Sequence, residues 1–220
     1  MLLRFLDLLF PPRENERLVR SLGNDGLAVF LDPKTSLLGD IEVTGLLPYD
    51  ARIVRACIVE AKYHANDRAS KVLGAILAAY LGEELADRNQ YEPRTYALVP
   101  VPLSRARLRE RGYNQAEAIT RHAADMHPEI VIESDLMMRI RDTLPQTTLG
   151  GEARRQNVRG AFGAARTPDP HTTYIVIDDV VTTGATIREV VQALRGAGAQ
   201  NVRAIGLAHR IGKPAENAVG

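Results

Sequence analysis

A chain of 220 residues that is 45% hydrophobic and 25% charged has the composition of an ordinary globular protein, which excludes disordered, collagen-like and coiled-coil classes. Its 28 Lys and Arg against 27 Asp and Glu leave a net charge of +1, so a globally basic nucleic-acid binder is excluded while a local patch is not. The single cysteine, Cys57, excludes an intramolecular disulfide and a zinc site built on two thiolates, and points to a reducing, cytoplasmic compartment.

The apolar start from Met1 to Phe10 is broken by Arg4 and Asp7 and does not read as a secretory signal. No apolar run reaches the roughly 18 residues of a membrane span. Up to residue 50 the periodicity is weak, and turn signals recur at Gly23-Asn24-Asp25-Gly26, Asp32-Pro33, Gly39-Asp40 and Pro48. Residues 1–50 therefore read as a small irregular N-terminal lobe, with short strands around Leu27 to Leu31 and Ile41 to Val43. Residues 51–220 read as one further domain.

Helical spacing of Ile53, Val54, Cys57, Ile58 and Ala61 predicts a helix from Ala51 to Ala61. An apolar stripe through Ala69, Leu73, Ile76 and Tyr80 predicts a second from about Arg68 to Leu85. The run from Tyr96 to Pro102, short, apolar and ended by prolines, predicts a buried strand. A helix is predicted from Asn114 to Ala124, then strands at Ile130 to Ile132 and Leu136 to Met138, a polar stretch without period from Arg141 to Arg159, and a strand at Tyr174 to Ile177. A helix from Ile187 to Leu194 and a strand from Val202 to Leu207 follow. Strands and helices alternate over residues 96–207, which predicts an α/β fold with a parallel sheet flanked by helices.

The segment from Tyr174 to Thr186 holds four apolar residues, the acids Asp178 and Asp179, and a small, hydroxyl-rich turn that enters a helix. In a parallel sheet such a turn lies beyond the carboxyl end of its strand, where ligands bind. Val181, Thr182, Thr183, Gly184, Ala185 and Thr186 offer hydroxyls, a glycine and helix-start amides suited to a phosphate dianion. The acids would repel that phosphate and instead accept hydrogen bonds from sugar hydroxyls, so the pair of features describes a ribose 5-phosphate. A second block, Ser104 to Gln115, packs Arg105, Arg107, Arg109 and Arg111 against one glutamate, Glu110. It reads as a basic loop that contacts pyrophosphate, a nucleic-acid backbone or solvent. A third, Thr143 to Phe162, is long and polar, and Gln146, Arg154 and Arg155 on it would close over a bound ligand if it is a flap rather than a linker.

The thirteen residues from Tyr174 resemble the 5-phosphoribosyl 1-pyrophosphate (PRPP) loop of type I phosphoribosyltransferases. With Val-Pro-Val-Pro-Leu at 99–103, Arg-Glu-Arg-Gly-Tyr-Asn-Gln at 109–115, Gln146, and Glu-Ala-Arg-Arg-Gln-Asn-Val-Arg-Gly-Ala-Phe at 152–162, the chain resembles the ComF/GntX family over about residues 51–210. Lys62-Tyr63 fits the same pattern. The resemblance implies a type I phosphoribosyltransferase-like sheet and a PRPP-binding protein that uses Mg²⁺. It also implies Asp178 and Asp179 at the ribose, residues 181–186 at the 5-phosphate, and Ser104, Arg105, Arg107 and Arg111 at the pyrophosphate. No general base stands out, so the catalytic residues and the acceptor stay open. The family's association with competence implies an alternative, a non-catalytic accessory of DNA uptake that binds nucleotide or single-stranded DNA.

Members of that family commonly begin with a zinc ribbon. Leu8-Leu9-Phe10-Pro11 fits its start, but residues 13–50 contain no cysteine, so no zinc is expected. Cys57 reads as core. His64, His122, His127, His171 and His209 lack metal-ligand spacing and read as solvated or capping, and Lys62 reads as a phosphate ligand or a surface ion pair. The sequence does not indicate an oligomeric state.

Overall fold

A computed structural model describes residues 12–23, 26–88, 95–141 and 159–210. Helix α1 (Glu14–Ser21) and a 3-10 turn (Ala28–Phe30) precede strands β1 (Lys34–Leu38) and β2 (Ile41–Pro48). Helices α2 (Arg52–Tyr63) and α3 (Asp67–Arg88) lead to β3 (Tyr96–Pro100), α4 (Arg105–Arg111), α5 (Gln115–Ala124) and β4 (Ile130–Ile132). The chain closes with β5 (Met137–Arg139), β6 (Phe162–Ala164), β7 (Thr173–Val181), α6 (Ala185–Gly196) and β8 (Asn201–His209). Six strands form one sheet in the order β1-β2-β8-β7-β3-β4, parallel throughout except for the β1–β2 hairpin. A separate hairpin pairs β5 with β6.

Both faces of the sheet are covered, which is why β7 reads as an unbroken apolar run. Ile175 and Ile177 point to the face that packs on α2, α3 and α5 through Val54, Cys57, Leu73, Leu77 and Ile119. Tyr174 and Val176 point to the opposite face, against Ile187, Val190, Val191 and Leu194 of α6 and Phe162 of β6. Each such buried side chain contributes about 1.5–3 kcal/mol.

The expected boundary at residue 50 does not separate two cores. Strand β2 pairs in parallel with β8 and divides its side chains between the two faces, Leu46 and Leu47 on one and Ile41 and Val43 on the other. The turn at Gly39-Asp40 is the tip of the hairpin that carries β2 into the sheet, with Gly39 at a φ of +73°. Two local expectations also change. Leu27 to Leu31 contains a 3-10 turn rather than a strand, and α1 forms without an apolar stripe because it buries only Val19.

Register sets up the cleft. Pro100 stands opposite Ile177, and Val101 N donates to Ile177 O at 2.9 Å. The chain therefore leaves β3 at Val101 beside the point where β7 reaches Asp178, both at the carboxyl edge of the sheet.

Candidate functional site

A cleft of about 500 Å³ lies along that edge, lined by Asp178 and Asp179, all six residues 181–186, Arg107 and Arg111 of α4, and residues of α2. The two acids are adjacent yet differently held. Asp179 is buried; its Oδ1 accepts from Val180 N at 2.8 Å, and its Oδ2 accepts from Lys62 Nζ at 2.6 Å and Gln115 Nε2 at 3.1 Å. Asp178 Oδ1 accepts from Asp179 N at 2.9 Å. Burial pushes both carboxyls up. At Asp179 the charge and hydrogen bond of Lys62 outweigh it and hold the group below its ordinary value. At Asp178, burial together with the charge of Asp179 pushes the group up to about 7. Lys62 thus binds one acid of the pair directly, while the other has only a backbone amide and the more distant charge of Lys62 against its burial and its neighbour.

The turn after β7 is built around Gly184, which caps α6 at a φ of 68°. Its positive φ favours glycine, and a Cβ there would stand 1.9 Å from Leu38 Cδ1 and force that side chain to move. No side chain caps α6 at Gly184, and the first residues of the helix, Ala185, Thr186 and Ile187, line the cleft together with Thr182 and Thr183.

The arginine-rich block is a helix rather than a loop. Ser104 Oγ accepts from Arg107 N at 3.3 Å, and Gly112 closes α4 in the left-handed region. With a lone leucine, Leu108, the segment shows no apolar period, so only the cap residues carried the signal. Helical spacing divides the block. Arg107 and Arg111, one turn apart, line the cleft, while Arg105 and Arg109 are exposed outside the lining, and Ser104 is engaged as the cap. Arg111 lies over the Tyr63 ring at 5.1 Å and donates to Gln115 Oε1 at 3.0 Å. Gln146, Arg154 and Arg155 lie outside the described residues.

Against this geometry the sequence was compared with known proteins. Residues 145–218 match the phosphoribosyl transferase domain family. "Competence protein F" of Haemophilus influenzae is 33% identical over 131 residues, 59% of this chain and 57% of that protein. "DNA utilization protein YhgH" of Salmonella typhi is 32% identical over 137 residues, covering 62% and 60%. "Competence protein ComFC" of Streptococcus pneumoniae is 28% identical over 136 residues, covering 62% and 56%. These similarities support the resemblance of the chain to the ComF family. Its sheet is the phosphoribosyltransferase-like α/β sheet expected of that family, and it spans 56% to 60% of the length of these three relatives.

Some cleft residues carry little or no signal as ligand-site residues when the sequence is read alone, and Lys62 takes a different place from the one expected. Of its two expected roles Lys62 takes the ion pair, but part-buried rather than at the surface: it is bound to Asp179, and although burial opposes it, the charge of Asp179 raises the Lys62 pKa. Gln115 was visible only as the last residue of the 109–115 phrase. Tyr49, under Arg210 at 4.8 Å, and Arg139, over Phe162 at 5.2 Å, are brought to the cleft from distant parts of the chain, which no local pattern could announce.

Cys57 is core, its thiol pushed up to about 12 by burial. His209 departs from the solvated or capping reading. It is buried against Gly45, and its Nε2 has no hydrogen-bond partner. Among the described residues no cluster of His, Cys, Asp or Glu is placed to hold a metal ion, and no helix is long and apolar enough to cross a membrane.

Proposed function

We propose that this protein binds PRPP with Mg²⁺ and either transfers its 5-phosphoribosyl group or holds it as a sensor. The observation that carries the reading is one cleft, at the carboxyl edge of a parallel sheet, that combines an acid pair of which Lys62 binds only Asp179, a helix start without a side-chain cap and two arginines. In this reading the amides and hydroxyls of residues 182–186 meet the 5-phosphate, Asp178 accepts from the ribose hydroxyls, and Arg107 and Arg111 meet the pyrophosphate. Asp178 lines the cleft without a side-chain cation bound to it, and a cation there would favour its charged form, so the site fits Mg²⁺ carried on the ligand's own oxygens. When bound, that ion supplies positive charge to the pyrophosphate. As the bond from C1 to the pyrophosphate oxygen breaks, negative charge grows on the leaving group, and pre-aimed guanidinium groups stabilise it. The acceptor is left open.

A thermal melt with PRPP, with and without Mg²⁺, tests the reading. At a hundred times its dissociation constant a ligand adds about 2.7 kcal/mol. The absence of any shift in the wild-type chain rejects it.

The names of the relatives, competence and DNA utilization, favour a second reading in which the chain binds single-stranded DNA. The exposed Arg105 and Arg109 of α4 would then meet phosphodiesters. Binding would fall by about 0.7 log unit per log unit of salt for each phosphate neutralised. Salt-steep DNA binding without a PRPP shift would favour this reading.

A further inference from the structure

Gln115 occupies an unusual place in the cleft. Its side chain is buried, and α5 is anchored at this point by Asn114, whose Nδ2 donates to Val101 O at 3.1 Å and whose Oδ1 accepts from Ala116 N at 3.1 Å. The Gln115 amide donates from Nε2 to Asp179 Oδ2 at 3.1 Å and accepts at Oε1 from Arg111 at 3.0 Å. A carboxylate only accepts and a guanidinium only donates, so the amide has one allowed orientation. The contacts close into a ring. Asp179 is bound to Lys62, the next residue Tyr63 lies under Arg111, and Arg111 returns through Gln115 to Asp179.

Arg111 and Asp179 are opposite charges on either side of one buried side chain. Were they to pair directly, the arginine would be neutralised and drawn away from an anionic ligand. A glutamate at 115 would neutralise Arg111 and repel Asp179. A neutral group with both a donor and an acceptor is the one chemistry that orients the two without cancelling either.

We propose that Gln115 is a positioning residue: a neutral spacer that holds Arg111 toward the cleft without an ion pair between it and Asp179, while it also holds Asp179. It thereby couples the pyrophosphate end of the ligand site to the ribose end, and favours ligands that carry both groups over those that carry only a sugar phosphate. The inference rests on the reading of the cleft as a phosphoribosyl site.

The test is a double-mutant cycle read as dissociation constants for PRPP and for ribose 5-phosphate, using the full chain with Gln115→Met, Arg111→Met and both. Gln115→Met is expected to weaken PRPP about tenfold and ribose 5-phosphate less than about threefold. The penalty of Arg111→Met for PRPP, about tenfold in the wild type, is expected to fall below about threefold once Gln115 is gone. Equal weakening of both ligands, or penalties that simply multiply, overturns the proposal and leaves Gln115 a packing residue. Should Gln115→Met fail to fold, Gln115→Asn, too short to span the two charges, closes the cycle with the same expectations. A wild-type chain that binds neither ligand rejects the phosphoribosyl reading itself, an outcome distinct from multiplicative penalties in a chain that binds both.

Discussion

Helix α2 carries two ion pairs within one turn, and they serve opposite ends. Glu60 faces the N-terminal corner, fully buried, and takes two bonds from Arg13, at Nε (3.2 Å) and NH2 (2.8 Å), with a third from Asn66 at 3.3 Å. Burial pushes its carboxyl up, but Arg13 and Asn66 more than offset this, and the group is held below its ordinary value. Lys62, two residues on, faces the cleft and satisfies Asp179 in the same manner. The difference lies next door. Beside Asp179 stands Asp178, whose burial and neighbouring charge outweigh its backbone bond and the pull of Lys62, whereas no acid raises the Glu60 carboxyl in this way. The first is a closed pair in the fold, and the second has an extra buried acid beside it at the cleft, the pattern on which the proposed ligand site rests.

The sharpest way to separate the two regions is Asp178→Asn. It is expected to abolish the PRPP-dependent rise in melting temperature while raising the melting temperature of the free protein by a few degrees at pH 8. The Asp178 carboxyl is near 3.8 in the unfolded chain but keeps its proton up to about 7 in the fold. Folding therefore takes up a proton between those values, and the contribution of this group to stability, full at the acid end, is lost as pH climbs through the window. The stability advantage of Asp178→Asn should accordingly grow from pH 5 to pH 7 and level off above, as urea titrations at stepped pH would record. A pH-independent difference would contradict the assignment.

Arg13→Ala should do the reverse. It leaves a buried carboxylate with weaker partners, at a cost of about 2 kcal/mol, or roughly 5 °C, with the ligand-induced shift retained. Gly184→Ala is expected to cost about 1–2 kcal/mol and to weaken the 5-phosphate end, because it combines left-handed strain with the collision against Leu38. Adding Leu38→Ala should restore the part due to the collision alone, measurable by calorimetry. The smallest contrast lies within α4, where Arg107→Ala should weaken PRPP several-fold and Arg105→Ala less than about twofold. Equal effects would mean that the helical division of the block does not govern binding.

Most of the fold could be read before the structure. Two-sided burial leaves runs such as Tyr174 to Ile177 apolar throughout, and the stripes of α2 and α3 repeat with helical period. The elements that were not legible are those with little apolar content: α1 buries one side chain, β1 is mostly exposed, and α4 is a row of arginines held by its caps. Strand β2 was legible as a strand from Ile41 to Val43, but not its place in the main sheet. Its parallel partner β8 lies at the far end of the chain, and such pairing leaves no local trace.

The cleft divides in the same way. Contiguous residues, the acids of β7 and the turn through Gly184, could be read because strand end, turn and helix start follow one another in sequence and their chemistry is local. The inequality of Asp178 and Asp179 could not, since nothing distinguishes two adjacent aspartates until Lys62 and Gln115 arrive from other helices and bind one of them. Sequence alone determined which chemical groups stand at the carboxyl edge of the sheet, because local propensity and hydrophobic period decide where a strand ends. Tertiary structure alone decided which groups are charged, oriented and paired, because burial and Coulomb interactions depend on neighbours in space rather than on order along the chain.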